Sequence, residues 1–128
     1  TRLIFANSLP LEQHLARHIL GDLALDTFNY NGHTTTSDAL WAGLPVLTKI
    51  GESFSARVSA SILNTIGLPE LITYSEQEYE EKALMIAQNP NELISLKSKL
   101  AKLRQTSPLY DSELFTKNLE NHYKELMR

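Results

Sequence analysis

Apolar residues along this chain fall into two rhythms. Short continuous runs are bounded by asparagine, glycine or proline, and longer stretches carry apolar positions three or four apart. The short runs Leu3 to Ala6, Leu23 to Thr27, Pro45 to Thr48 and Leu71 to Thr73 each predict a buried strand. Pro10 opens a helix to about Leu20, with Leu11, Leu15, His18 and Ile19 on its apolar side and Gly21 as its stop. The hydroxyl run Thr34-Thr35-Thr36 opens a shorter helix that Gly43 closes, so Asn31 to Val46 reads as the core of a compressed βαβ unit. Trp41 in that helix is expected to pack into the core.

A helix from about Ser55 to Thr65 is rich in small residues, which predicts close packing on a sheet. Its Arg57 opposes the helix dipole unless paired, and Glu52 is the candidate partner. Ser75 caps a helix to about Gln88 whose Tyr79, Ala83 and Ile86 share a face. Asn89-Pro90-Asn91 starts another, with Leu93, Leu96, Leu100 and Leu103 as a stripe and Lys97, Lys99, Lys102 and Arg104 as a solvated face. A last helix from about Asp111 would bury Phe115, Leu119, His122 and Leu126. Four βα units followed by helices predict an α/β fold on a parallel sheet with right-handed crossovers.

The 128 residues suit one domain, with 42% apolar and 21% charged residues. A net charge of −3 supplies no electrostatic footprint for nucleic acid or an anionic membrane surface. No apolar run approaches the length of a membrane span. The absence of cysteine excludes disulfides, thiol nucleophiles and thiolate metal sites, and points to the reducing cytoplasm. The chain opens with Thr-Arg-Leu-Ile-Phe, already inside an expected strand, which reads as a piece of a longer protein.

The chemistry concentrates at the start of the Thr34 helix. Unpaired amides, threonine hydroxyls and the helix dipole attract anions there, and the loop lies at the carboxyl end of a parallel strand, where ligands of open α/β sheets collect. His33, held in the turn, is placed to donate to a phosphate. Helix capping by the same hydroxyls is the competing reading, with Asp38 contributing only through the dipole. His14 and His18 lie four apart, a spacing that suits a metal pair. However, Leu15 stands where the zinc-protease signature needs glutamate, so a solvated or core histidine is the better reading of His14.

Asn31-Gly32-His33-Thr34-Thr35, followed by Asp38-Ala39-Leu40-Trp41-Ala42-Gly43-Leu44-Pro45, resembles the catalytic region of the O-linked N-acetylglucosaminyltransferases. These are protein glycosyltransferases of GT-B architecture that usually carry tetratricopeptide repeats upstream. The resemblance extends through Arg2 to Phe5, Pro10 to Arg17, Leu25-Asp26-Thr27, Gly51-Glu52-Ser53, Arg57-Val58, Gln77 to Glu80 and Ser107 to Tyr110.

It implies that His33, Thr34 and Thr35 contact the diphosphate of UDP, that Asp38 binds the ribose hydroxyls, and that His14 lies against the uracil ring. Leu11 stands where the family often has a lysine beside the base. The implied fold is the Rossmann-like carboxyl-terminal lobe of a GT-B enzyme, in part. Two strands would be missing between Leu3 to Ala6 and Leu23 to Asp26, leaving those strands to pair directly, keep a gap, or borrow from another copy.

The implied reaction is inverting transfer of N-acetylglucosamine from UDP-N-acetylglucosamine to serine or threonine hydroxyls, with no bound metal or other cofactor. Oriented amides and an imidazole stabilise the departing diphosphate without magnesium. The diphosphate-binding lysine and the acid/base groups lie upstream in the family, so no catalytic residue is expected within this chain. Transfer of another sugar, such as glucose or fucose, and a noncatalytic nucleotide-binding domain are the alternatives.

Overall fold

The computed structural model describes residues 2–128. Its sheet has three parallel strands in the order β1-β2-β3: β1 (Ala24–Leu25), β2 (Val46–Lys49) and β3 (Ile72–Thr73). Ala24 pairs with Val46 and Thr48 with Ile72, so β2 is the central strand. Its Val46, Leu47 and Thr48 are buried, as the continuous apolar run of a doubly covered parallel strand requires.

The helices are α1 (Leu11–Arg17), α2 (Thr34–Trp41), α3 (Val58–Ile66), α4 (Glu76–Gln88), α5 (Pro90–Thr106) and α6 (Ser112–Leu126). Ser75 caps α4 by accepting the Glu78 N–H, and Asn89 caps α5 by accepting the Glu92 N–H. Gly67 ends α3 in the left-handed conformation at φ 93°, which a side chain rarely adopts. The core joins Leu40 of α2, Leu47, Leu63 and Ile66 of α3, Ile86 of α4, and Leu96 and Leu100 of α5.

Several expectations fail, for related reasons. Leu3 to Ala6 is not a strand. Leu3, Ile4 and Phe5 are exposed, and the segment is tied down where Arg17 Nη1 donates to the Asn7 carbonyl at 2.8 Å. An apolar run becomes a strand only beside another strand, and this one has none, so the structure keeps the gap in the sheet. Leu11 and Ile19 are exposed with it.

Trp41 is 51% exposed and meets the edge of the Tyr110 ring, while Leu40, one position earlier on the helix, takes the core site. Arg57 donates to the Gly51 carbonyl at 3.0 Å instead of pairing with Glu52. The basic residues of α5 form a solvated face only in part: Lys99 and Lys102 are exposed, but Lys97 donates to the Gly21 carbonyl and Asp22, Lys99 to Glu70, and Arg104 to the Trp41 carbonyl. The α6 stripe of Phe115, Leu119 and Leu126 exists but is exposed, because α6 buries none of its residues.

Tyr79 on α4 ties the helix layer to β1. Its hydroxyl donates to the Asp26 carbonyl at 3.0 Å, and its ring receives the edge of Phe28. Burial first, and the Asp26 carboxylate second, push its pKa from 10.0 up to about 12. The neutral phenol is therefore favoured in the fold. Its contribution is complete below the unfolded pKa of 10.0 and is lost as pH rises towards about 12. In alkaline unfolding titrations the wild type is expected to lose stability more steeply across that interval than Tyr79→Phe. Parallel curves would refute this.

Candidate functional site

The site is built on the link from β1 to α2. Beyond β1 the chain turns through Asn29, at φ 64°, and is held by Thr27 Oγ1 donating to the Tyr30 carbonyl and Asn31 Nδ2 donating to the Thr27 carbonyl. The Asn31 N–H donates to the Ser55 carbonyl at 2.8 Å, and Ser55 Oγ donates to the Asn29 carbonyl at 3.0 Å. These bonds lock the loop to the segment before α3.

Asp26 is the anchor. One carboxylate oxygen accepts the Gly32 N–H and the other accepts the Thr48 hydroxyl, both at 2.7 Å. Gly32 is enclosed from the other side too, since a Cβ there would lie 2.5 Å from Thr36 Oγ1 and 2.7 Å from Thr35 Oγ1. No other residue fits without moving a stiff β-branched side chain.

His33 is the N-cap of α2 and makes no side-chain cap bond. The first bond into the helix runs from the Ser37 N–H to the His33 carbonyl, at 3.1 Å. The amides of Thr34, Thr35 and Thr36 are thus the orphan donors of a helix start. Thr34 and Thr35 are exposed, so this end of α2 is open to solvent, whereas Thr36 is buried and points its hydroxyl inward. The His33 ring stacks on Tyr30 at 5.1 Å and 12° and meets the edge of Phe54 at 6.2 Å. Its Nε2 is enclosed without a hydrogen-bond partner, a costly state for a polar atom.

Asp38 is half-buried and lies four residues beyond Thr34 and three beyond Thr35, on the same helix face and about 6 Å along the axis. It also faces the neighbourhood of Tyr110. Burial raises the Tyr110 pKa most, and the Asp38 carboxylate adds to that. Thr34, Thr35 and Asp38 thus share a helix face with His33 at its start, while Asp38 also lies near Tyr110.

His14 stands apart on α1. Its Nδ1 accepts from Arg17 Nη2 at 2.8 Å, which leaves the ring proton on Nε2. Its ring meets His18 edge-on at 4.8 Å, and His18 donates from Nδ1 to the His14 carbonyl. The two histidines are packed against each other, and among the described residues no cluster of three or more metal-ligating side chains exists. His18 in turn lines a cleft of about 210 Å3 with Asp26, Thr35 and Thr36, which puts α1 beside the start of α2. The larger cleft, about 810 Å3, lies beside Trp41, Arg104 and Tyr110, at the opposite end of α2.

Asp26, Arg17 and Ser59 were not singled out as site residues by the sequence. Asp26 at a strand's carboxyl end was the one visible cue, since a carboxylate there has amides of the following loop within reach.

Comparison with known proteins gives the lineage. The profile of glycosyl transferase family 41 matches residues 1–119. A probable UDP-N-acetylglucosamine–peptide N-acetylglucosaminyltransferase of Arabidopsis thaliana is 41% identical over 123 residues, covering 95% of this chain and 13% of that protein. The UDP-N-acetylglucosamine–peptide N-acetylglucosaminyltransferase of Caenorhabditis elegans is 36% identical over 121 residues, covering 94% of this chain and 10% of that protein. In structure, a mutant O-GlcNAc transferase of Thermobaculum terrenum superposes with a TM-score of 0.86 at 34% identity, covering 91% of this chain and 22% of that one. The chain thus spans a small part of the length of its relatives. Sequence and fold agree over nearly all of it, and the chain belongs to glycosyl transferase family 41.

Proposed function

We propose that this chain is the UDP-binding part of an inverting protein O-glycosyltransferase that moves N-acetylglucosamine from UDP-N-acetylglucosamine to serine or threonine hydroxyls. The observation that carries the reading is the open start of α2, where orphan amides, the exposed Thr34 and Thr35 and an unpartnered imidazole nitrogen converge. A diphosphate supplies the acceptors that all of these lack. Asp38, one helical turn on, is given the ribose hydroxyls of the same nucleotide by the family resemblance, and His14 the base.

The charge on departing UDP is met in this reading by amides and imidazole, without a divalent cation or other cofactor. The acid/base groups and the acceptor site belong to the rest of a longer enzyme, to which the family resemblance assigns an amino-terminal catalytic lobe and upstream tetratricopeptide repeats, and for which a cysteine-free chain favours the cytoplasm. Among the described residues no helix is long and apolar enough to cross a membrane.

Titration of the full-length protein with UDP tests this. His33→Ala is expected to weaken UDP about tenfold, the worth of one hydrogen bond to a charged group. UDP-N-acetylglucosamine should outperform other nucleotide sugars as donor. Equal affinity of wild type and His33→Ala for UDP would sink the assignment.

A further inference from the structure

The Gly32 carbonyl is the acceptor of two buried hydroxyls. Thr36 Oγ1 lies 3.0 Å from it and Ser59 Oγ, on α3, 2.9 Å. The two hydroxyl oxygens are 2.9 Å from each other, and Ser59 is fully buried. Each hydroxyl has one proton, so two protons serve three contacts: one hydroxyl donates to the carbonyl while the other donates either to the carbonyl or to the first hydroxyl. Either hydroxyl alone can hold the carbonyl.

The peptide that follows is trans and planar, so its N–H points opposite to its C=O. With the Gly32 carbonyl turned inward to Ser59 and Thr36, the His33 N–H is turned outward. No acceptor among the described residues takes it. The preceding peptide is held separately, its Gly32 N–H donating to Asp26, so Gly32 is anchored on both sides.

We propose that Ser59 and Thr36 are positioning residues that aim the His33 backbone N–H at the anion, adding a donor to those of the α2 start. The inference rests on the diphosphate reading above and deepens it. The clamp reaches across 27 residues from a different helix, so the geometry of the anion cradle is set by α3 as well as by α2. Because the two hydroxyls substitute for one another, their loss is cooperative.

The test measures UDP and uridine affinity in the full-length protein. Uridine reports the base and ribose contacts, and the ratio of the two isolates the phosphates. Ser59→Ala and Thr36→Val are each expected to lower UDP affinity no more than about threefold, and the double variant about tenfold, since a donor to a charged oxygen is then misaimed. Uridine affinity should stay unchanged. Thr36→Ser combined with Ser59→Ala keeps one hydroxyl and should restore UDP affinity to the level of Ser59→Ala alone. Hydrogen exchange in the wild type provides a reading that needs no variant: UDP should protect the His33 amide. Proportional loss of UDP and uridine, or UDP protection of the Thr35 and Thr36 amides without that of His33, overturns the inference. A wild type that does not prefer UDP to uridine overturns the diphosphate reading itself, and this inference with it.

Discussion

Asp26→Ala is expected to destabilise the protein by about 3 kcal/mol, at about 1.5 kcal/mol for each of two hydrogen bonds to a charged acceptor. Both bonds are 2.7 Å long, and their donors have nowhere else to go: Thr48 is fully buried on the central strand, and Gly32 is hemmed in by Thr35 and Thr36. The loss also reaches the site. Without the carboxylate Gly32 is held only through its carbonyl, and the loop that carries His33 gains freedom. Asp26→Asn keeps one acceptor oxygen and should fall between alanine and wild type. Urea unfolding of the three proteins measures the order. A stability of Asp26→Ala within about 0.5 kcal/mol of wild type, the range of a neutral surface change, would contradict it.

Leu40→Ala is expected to cost about 2–5 kcal/mol, the range for deleting a fully buried leucine side chain from a core. Leu40 is 0% exposed and is the largest buried side chain that α2 contributes. A helix of only eight residues is far below the length of about 12–15 at which isolated helices become even marginal, so its position depends on this anchor. The same substitution should therefore weaken UDP binding although Leu40 faces away from the site. Leu40→Met, which preserves volume, should cost less than about 1.5 kcal/mol and bind UDP normally. Full UDP affinity in a destabilised Leu40→Ala protein would show that α2 holds its place by other means.

The features readable from the sequence are those specified locally. The caps at Ser75 and Asn89, the leucine stripe of α5 and the strand at Val46 each depend on residues a few positions apart, and all four stand in the structure. The start of α2 was legible for the same reason: three threonines behind a glycine-histidine turn mark a helix start from adjacent residues alone.

What the sequence misjudged depends on partners far along the chain. Leu3 to Ala6 has the composition of a strand, but composition does not say whether a neighbour will be present to pair with it. The apolar stripe of α6 was visible, while what lies opposite it was not. Trp41 and Leu40 are one residue apart, a rotation of about 100° at 3.6 residues per turn, and the pattern alone does not decide which of the two faces inward. Asp26 and Ser59 act on Gly32 from 6 and 27 positions away, through contacts that no spacing rule encodes. The sequence thus marked the residues at the open start of α2 more readily than those that hold them in place.

The gap in the sheet has a practical bearing. Ala24 and Asp26 give their N–H groups to the β2 side, so the alternating residue Leu25 directs its own towards the open flank, and its side chain is 59% exposed. Leu3, Ile4 and Phe5 add a greasy ribbon nearby in sequence order. A ladder waiting for another rung, in company with exposed apolar side chains, is a recipe for adhesion between molecules. Handled as 128 residues in isolation, this polypeptide would tend to clump as it is concentrated, and a solubilising design would begin at Leu25 with a lysine.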